Sequence, residues 1–337
     1  MRIAVMGTGG VGGYFGAMLA RAGHDVAFIA RGPHLAAIRE NGLHLRTAHG
    51  DFTVGQGTFT VGQGLPTAAP PATVGQGLPT AAPPATDDPA EVGPVDLVLF
   101  CVKTYHTEEA GHAIAPLIGD ETLILSLQNG VDNEEKLAAV HGRQHILGGV
   151  CYIASTITAP GVITQVSGPR SILFGEMDGS ITPRAQRVHQ ALVEAGIDAT
   201  LSDNIQKALW TKFLFICALS GVAAVARAPL GELMAIPETR ELLRDTMAEV
   251  EAVARARGVD LEAGIVDQMM QRTEGFAPES KPSMLVDVER SNRVEIDALN
   301  GTVARLGAEL GLPTPANRFI YAALKPADER AKRGSEG

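Results

Sequence analysis

The first dozen residues, Met1-Arg-Ile-Ala-Val-Met-Gly-Thr-Gly-Gly-Val-Gly12, constrain this chain more than any other stretch. A short apolar run, Ile3 to Met6, enters Gly7, Gly9 and Gly12 in the spacing G-x-G-x-x-G, and a helical pattern follows from Tyr14 to Arg21. Strand, tight turn and helix in that order build a pyrophosphate site. The first glycine permits the turn, the second lets backbone approach the phosphates, and the third lets helix and strand pack closely. Negative charge then sits at a helix N-terminus, where N–H groups without helical partners and the dipole favour it. A second strand, Asp25 to Ala30, follows Gly23 and supplies the context that glycine spacing alone lacks. The loop Gly7-Thr8-Gly9-Gly10-Val11-Gly12 is therefore the expected dinucleotide-binding element.

The end of the second strand bears on which dinucleotide. An acidic residue there serves a ribose 2′-OH, whereas an arginine accommodates a 2′-phosphate. The sequence has Ala30-Arg31-Gly32, which favours NADPH. Farther on, Val95 to Val102 and Thr122 to Leu127 are continuous apolar runs of the kind found in buried parallel strands, and they deliver Lys103 and Gln128-Asn129-Gly130. Lys103 and Asn129 thus fall just past the carboxyl ends of strands, the edge where open α/β sheets bind ligands.

Further strands are expected over Leu43–Thr47, Phe52–Val54, His145–Ala154 and Val162–Gly175, with helices over His34–Glu40, from Thr107, and over Thr182–Ala195. This alternation predicts an α/β fold: a Rossmann-like, doubly wound, mostly parallel sheet over residues 1–202. From Asp203 onward only helical periodicity remains, over Ile205–Arg227, Glu238–Arg257, Leu261–Thr273, Ser283–Leu310 and Ala316–Lys325. An all-helical C-terminal domain over 203–330 with a tail at 331–337 follows, and the reaction is expected in the cleft between the two domains. Residues 53–86 stand apart. Thr60 to Ala72 recurs residue for residue as Thr73 to Ala85, and this Gly/Pro/Ala period is too short to build a solenoid core, so a surface insertion is expected.

A net charge of −10 argues against a general nucleic-acid or anionic-membrane surface. Cys101, Cys151 and Cys217 lie in apolar runs without metal-ligand spacing, as small buried hydrophobes of a reducing compartment do, and no metal site is expected. Because the chain opens on the cofactor strand, we expect no signal peptide. The apolar stretch Phe213–Ala226 is too short to span a bilayer, so a cytoplasmic protein is expected.

Two features of the helical half carry chemistry. Lys212, in Leu209-Trp-Thr-Lys-Phe-Leu-Phe-Ile216, lies on a helix apolar on almost every side, where desolvation would lower its pKa toward that of a general acid near neutral pH. A stem packed on apolar surface with its head in water is the alternative. Ser283, Asp287, Ser291 and Glu295, spaced by fours, would form one polar stripe along the 283–310 helix, which is also a candidate homodimer interface.

Gly7-Thr-Gly-Gly-Val-Gly12, Arg31, Cys101-Val-Lys103, Gln128-Asn-Gly130, Leu209-Trp-Thr-Lys212, Gly231-Glu-Leu233, Ser283-Met-Leu285 and Glu295-Ile-Asp297 occur in the order of the ketopantoate reductase (2-dehydropantoate 2-reductase) family, which the chain resembles over nearly its whole length outside 53–86. The resemblance implies an NADP-dependent oxidoreductase that turns a 2-oxo acid, ketopantoate, into pantoate for pantothenate and coenzyme A synthesis. It implies that Lys212 protonates the substrate oxygen, that Glu295 lies near substrate and cofactor, and that Ser283 meets the substrate carboxylate. Lys103, Asn129 and Ala154 would join the glycine loop and Arg31 in holding the cofactor. The family's substrate asparagines, four and eight residues past the lysine and just before Gly-Glu-Leu, are here Ile216, Ser220 and Leu230. Three alternatives share the fold: the same chemistry on a different 2-oxo acid, an NADPH-binding sensor without catalysis, and a hydroxyacid dehydrogenase working mainly in the oxidative direction, whose mark would be the NAD preference that Arg31 argues against.

Overall fold

The structure is a computed structural model that describes residues 1–55 and 85–335. The thirteen-residue repeats lie outside the described residues, except that Ala85, the last residue of the second copy, pairs in the sheet. The chain forms two compact units. One comprises Met1–Gln128 and Asn133–Ile205, and the other comprises Asn129–Asp132 and the residues from Gln206 on.

In the first unit, β1 (Arg2–Met6), β2 (Asp25–Ile29), β6 (Leu97–Phe100), β7 (Leu123–Ser126) and the start of β8 (Ile146–Ala159) run parallel, in the order β2-β1-β6-β7-β8. Their continuous apolar runs are explained by burial on both faces. Ile3 and Val5 of β1 join Leu97 and Leu99 in one core layer with Phe15 and Leu19 of α1 (Gly10–Arg21). Ala4 and Met6 join Val98 and Phe100 in the opposite layer with Ile114 and Leu117. β8 then turns back into β9 (Val162–Glu176) as a long antiparallel hairpin, and β3 (Leu43–Arg46) and β4 (Phe52–Val54) extend that side. β5 (Ala85–Thr86) closes the other edge against β2.

Several elements differ from the sequence reading. α1 starts at Gly10 with Gly9 as its N-cap, so Gly10 and Gly12 lie in its first turn while Gly7 stays in the turn after β1. β10 (Asp198–Leu201), which pairs parallel with β9, carries no apolar run to announce it. α4 (Asn133–His141) and the short α7 (Leu230–Ala235) were also not expected. α2 (Gly32–Asn41), α3 (Thr107–Ala113) and α5 (Pro183–Glu194) fall where the pattern put helices.

The second unit is helical. α6 (Ile205–Ala226), α8 (Pro237–Ala256) and α9 (Ile265–Glu274) follow the expected periods. At 22 residues α6 is long and apolar enough to cross a bilayer, longer than the Phe213–Ala226 run suggested, and 67% of its most apolar window is buried among its neighbours. α12 (Pro315–Ser335) runs past Pro326, where a stop was expected. Pro326 lies on the exposed face, so the carbonyl it cannot serve is open to water. Glu249 of α8 caps the start of α12, accepting the N–H groups of Ala316 at 2.8 Å and Asn317 at 2.9 Å.

The largest correction concerns the expected helix over 283–310. It is two helices, α10 (Ser283–Glu289) and α11 (Thr302–Leu310), joined by a non-helical linker and a π-helical turn, Asp297–Gly301. α10 closes with a Schellman arrangement: Asn292 N–H donates to Asp287 C=O at 2.8 Å and Ser291 N–H to Val288 C=O at 3.2 Å. Ser291 takes the left-handed conformation this requires, with φ 57°. Beyond it, Val294 and Ile296, two apart, both bury. The polar stripe of Ser283, Asp287, Ser291 and Glu295 is therefore not one helical face, and no long helix is present there to serve as an interface.

An L-residue in the left-handed region costs about 1–2 kcal/mol, which glycine avoids. Ser291→Gly is therefore expected to stabilise the helical unit by about 1 kcal/mol, a rise of roughly 2–4 °C in its thermal midpoint. A fall in the midpoint would mean that the serine side chain contributes more than its backbone costs.

Candidate active site

The sequence-predicted residues divide between the two units. In the first, β1 ends at Gly7, whose φ of 93° suits glycine, and an added Cβ would stand 2.8 Å from Val102 N. The turn is tied to β2 through one carbonyl. Ile29 C=O accepts Gly7 N–H at 3.2 Å, Thr8 N–H at 3.1 Å and the Thr8 hydroxyl at 3.0 Å. Thr8 is thus buried and turned inward, a brace for the loop. At Gly12 a Cβ would run into the Gly7 carbonyl and the Val5 side chain, so this glycine permits α1 to pack on β1. At Gly9 a Cβ would meet nothing within 4 Å. Its backbone therefore borders open space at the N-terminus of α1, whose first turn carries no acidic residue to offset the helix dipole. These are the roles expected of a dinucleotide loop, and the residues present fit such a cofactor. Sequence reasoning missed one neighbour: the hairpin strand β8 crosses the start of α1 so closely that a Cβ on Gly10 would overlap the Ser155 carbonyl.

Arg31 follows β2, with Arg31 and Glu109 side chains 60% and 59% exposed and Arg31 Nη2 donating to Glu109 Oε1 at 3.1 Å. That hydrogen bond, with the guanidinium charge, holds the Glu109 carboxyl below its ordinary pKa. Lys103, exposed, is the third residue past β6, and Asn129, the third past β7, opens the short Asn129–Asp132 segment that belongs to the second unit. The segments just before them are braced by a side chain that sequence reasoning gave no role. Buried Gln128 donates to Val102 C=O at 2.9 Å and to the Thr107 hydroxyl at 2.8 Å, and that hydroxyl donates to Asn133 Oδ1 at 3.1 Å. Its only sequence signal was a polar residue ending an apolar strand. Ala154 lies exposed on β8 where the register with β9 slips.

In the helical unit α6 carries buried Trp210, Phe213, Leu214, Cys217 and Ala218 around most of its circumference. Lys212, Ile216 and Ser220 follow one another at helical spacing along one face. Lys212 and Ile216 are half-buried, and Ser220 is 6% exposed. Ser283 is exposed at the first position of α10, and Glu295 is half-buried in the linker beyond it. Leu230 is buried at the start of α7, a packing residue there. Among the described residues no group of three or more His, Cys, Asp or Glu side chains is placed to hold a metal ion.

Comparison with known proteins covers both units. Residues 3–179 match the family model described as ketopantoate reductase PanE/ApbA, and residues 204–328 match its C-terminal counterpart. A 2-dehydropantoate 2-reductase of Mesorhizobium japonicum is 32% identical, covering 96% of this chain and 97% of its own. An uncharacterized oxidoreductase of Bacillus subtilis is 27% identical over 96% of this chain and 98% of its own. Among solved structures, a PanE/ApbA family ketopantoate reductase from Ralstonia eutropha JMP134 superposes with a TM-score of 0.83 at 33% identity, over 98% of this chain and all of that one.

The glycine geometry separates stability from binding. Gly12→Ala should cost about 1–3 kcal/mol of stability through overpacking. Gly9→Ala should change stability by no more than about 0.5 kcal/mol while weakening dinucleotide affinity. Thermal unfolding and a cofactor fluorescence titration on each variant check this, and equal destabilisation by both would refute it.

Proposed function

The chain belongs to the ketopantoate reductase family, and on that premise we propose that it reduces a 2-oxo acid to the 2-hydroxy acid with NADPH, ketopantoate to pantoate being the favoured reaction. That reaction would place it in pantothenate and coenzyme A synthesis in the cytoplasm. The observation that carries this reading is Lys212, a half-buried lysine on the least polar helix of the unit. Bound NADPH supplies the hydride, and the residues proposed to hold it are the glycine loop from Gly7 to Gly12, Arg31, Lys103, Asn129, Ala154 and Glu295. Hydride addition leaves negative charge on the former carbonyl oxygen. Lys212 stabilises that charge and gives up the proton. Ser283 receives the substrate carboxylate, Ile216 and Ser220 line the substrate along α6, and Glu295 lies beside the reacting groups. A screen of NADPH oxidation over a panel of 2-oxo acids that includes ketopantoate tests this function. No turnover on any of them would leave an NADPH-binding sensor as the better reading.

Arg31 supports the choice of NADPH, because a guanidinium pairs bidentately with a phosphate. Arg31→Ala should weaken NADPH binding ten- to a hundredfold, about 1.5–3 kcal/mol, and leave NADH nearly unchanged. Glu109 competes for the same guanidinium. Its carboxyl, held below the ordinary range, stays ionised at neutral pH, so Glu109→Gln should tighten NADPH binding. The gain should be only a fewfold, since exposed pairs are worth about 0–1 kcal/mol. Equal losses for both cofactors in Arg31→Ala would remove the assignment.

Lys212→Ala should lower turnover by about 10²–10⁴-fold, the reach of general acid–base catalysis, with NADPH affinity little changed. Lys212→Arg keeps the charge without a readily lost proton, so it should restore substrate binding better than turnover. Near-normal turnover of Lys212→Ala on the best 2-oxo acid would show the lysine to be structural.

A further inference from the structure

The linker that carries Glu295 lacks a ladder of its own. α10 closes at Asn292, and helical bonding resumes only where Leu299 N–H donates to Glu295 C=O at 3.1 Å and Gly301 N–H to Ile296 C=O at 2.9 Å. α12 presents a row of polar side chains to this linker. Tyr321, Lys325 and Asp328, at positions i, i+4 and i+7, share one face of that helix. The Tyr321 hydroxyl donates to Asp297 Oδ1 at 2.9 Å, and Lys325 Nζ reaches both Asp297 oxygens, at 2.9 and 2.6 Å. The Asp328 carboxylate, 1% exposed, accepts Val294 N–H at 3.1 Å. It also lies 3.7 Å from Arg293 Nε and 3.5 Å from Lys325 Nζ. The two residues before Glu295 and the second residue after it are therefore all held by α12, and one buried carboxylate holds the two before.

We propose that Asp328 is a positioning residue for Glu295: it fixes the backbone at Val294 through a hydrogen bond, lies at ion-pair distance from Arg293, and so sets where the neighbouring carboxylate points. The proposal rests on the reading of Glu295 as part of the reducing site. Between Asn292 and Glu295 the chain lies outside helix and strand, and there Asp328 supplies the acceptor for the Val294 N–H. Removing Asp328 would leave the buried Val294 N–H without its acceptor. Displacement of a reacting group by about 1 Å can cost on the order of a hundredfold in rate. Tyr321 and Lys325 hold only the far flank, so they cannot substitute for contacts at Val294 and Arg293.

The test is a double-mutant cycle on the full chain, using kcat/KM for NADPH-dependent reduction of ketopantoate, or of the best 2-oxo acid found. Asp328→Ala should lower kcat/KM by roughly 10–100-fold. Asp328→Asn, which keeps an oxygen for Val294 N–H, should lose less. Placed on Glu295→Gln, either change should cost less than a further twofold, because the group it positions has already been removed. If Asp328→Ala costs the same factor in both backgrounds, or leaves wild-type activity in the first, the proposal is wrong. If the alanine variant does not fold, the asparagine variant completes the cycle with the same criterion. A Glu295→Gln variant with unchanged kcat/KM would sink the role given to Glu295 and the proposal together. A large Glu295→Gln effect with additive Asp328 effects would sink the proposal alone.

Discussion

In the first unit, the Ile29 carbonyl is the interaction on which the glycine loop depends. It ends β2 and receives three donors from the turn that ends β1, the N–H groups of Gly7 and Thr8 and the Thr8 hydroxyl. Parallel pairing brings the carboxyl ends of β1, β2 and β6 to one edge, so the loops that follow them start side by side. The shared carbonyl ties two of those loops together. Arg31 lies two residues beyond Ile29, so the glycine turn and the arginine are both tied to the same carbonyl end of β2. Burial of β1 on both faces leaves it little freedom to slide. The turn inherits that rigidity.

The helical unit solves a different problem. α6 is apolar on nearly every side, and such a helix has no amphipathic stripe to fix its rotation about its axis. Polar groups supply that information. Asn300, buried in the π-helical turn, donates to Cys217 C=O of α6 at 3.2 Å and to Asn317 Oδ1 at 2.9 Å. Asn317 in turn donates to Glu249 Oε2 at 2.7 Å and Thr246 C=O at 3.2 Å. Next to this bridge, Gly221 provides the room: a Cβ there would lie 2.8 Å from Asn300 Oδ1. Rotating α6 would break the bridge and leave buried amide groups unpaired, which costs more than exchanging one apolar contact for another. The face bearing Lys212, Ile216 and Ser220 is thereby selected by residues outside it.

What the amino-acid pattern revealed follows the same division. Long runs with a strong period were legible: the buried strands, the glycine turn, and the all-helical character after Asp203. The linker around Glu295 was not, because the apolar residues of 283–310 match a helix closely enough to hide one break. An apolar–polar–apolar triplet such as Val294-Glu295-Ile296 occurs in helices as well as in strands, so it could not mark the break. β10 was missed for the opposite reason, since Asp198 to Leu201 is a strand by pairing with β9 and has no apolar signature. Of the candidate site, the residues on regular elements could be placed from spacing. The braces could not: the bonds from Gln128 to Val102 and Thr107, from Asn300 to Cys217 and Asn317, and from Val294 to Asp328 span 17 to 83 residues of chain, and no local pattern encodes such pairings.

On the proposed reading, α6 also separates chemistry from selection. Lys212 would supply a proton and a positive charge to any 2-oxo acid, because every such substrate develops the same charge on the same oxygen. Substrate choice would fall to the next two turns. There the half-buried Ile216 offers no hydrogen bond, and Ser220 offers one hydroxyl where an asparagine would offer an amide with both donors and an acceptor. A site built to pair with a substrate hydroxyl rejects an analogue lacking it by large factors, since its own polar group is left unpaired, whereas an apolar wall discriminates by only about 1–3 kcal/mol per methylene. Exchanging amides for Ile216 and Ser220 therefore removes the strong form of discrimination and keeps the weak one. Such a chain would retain the reduction while accepting side chains that a hydrogen-bonding wall would exclude.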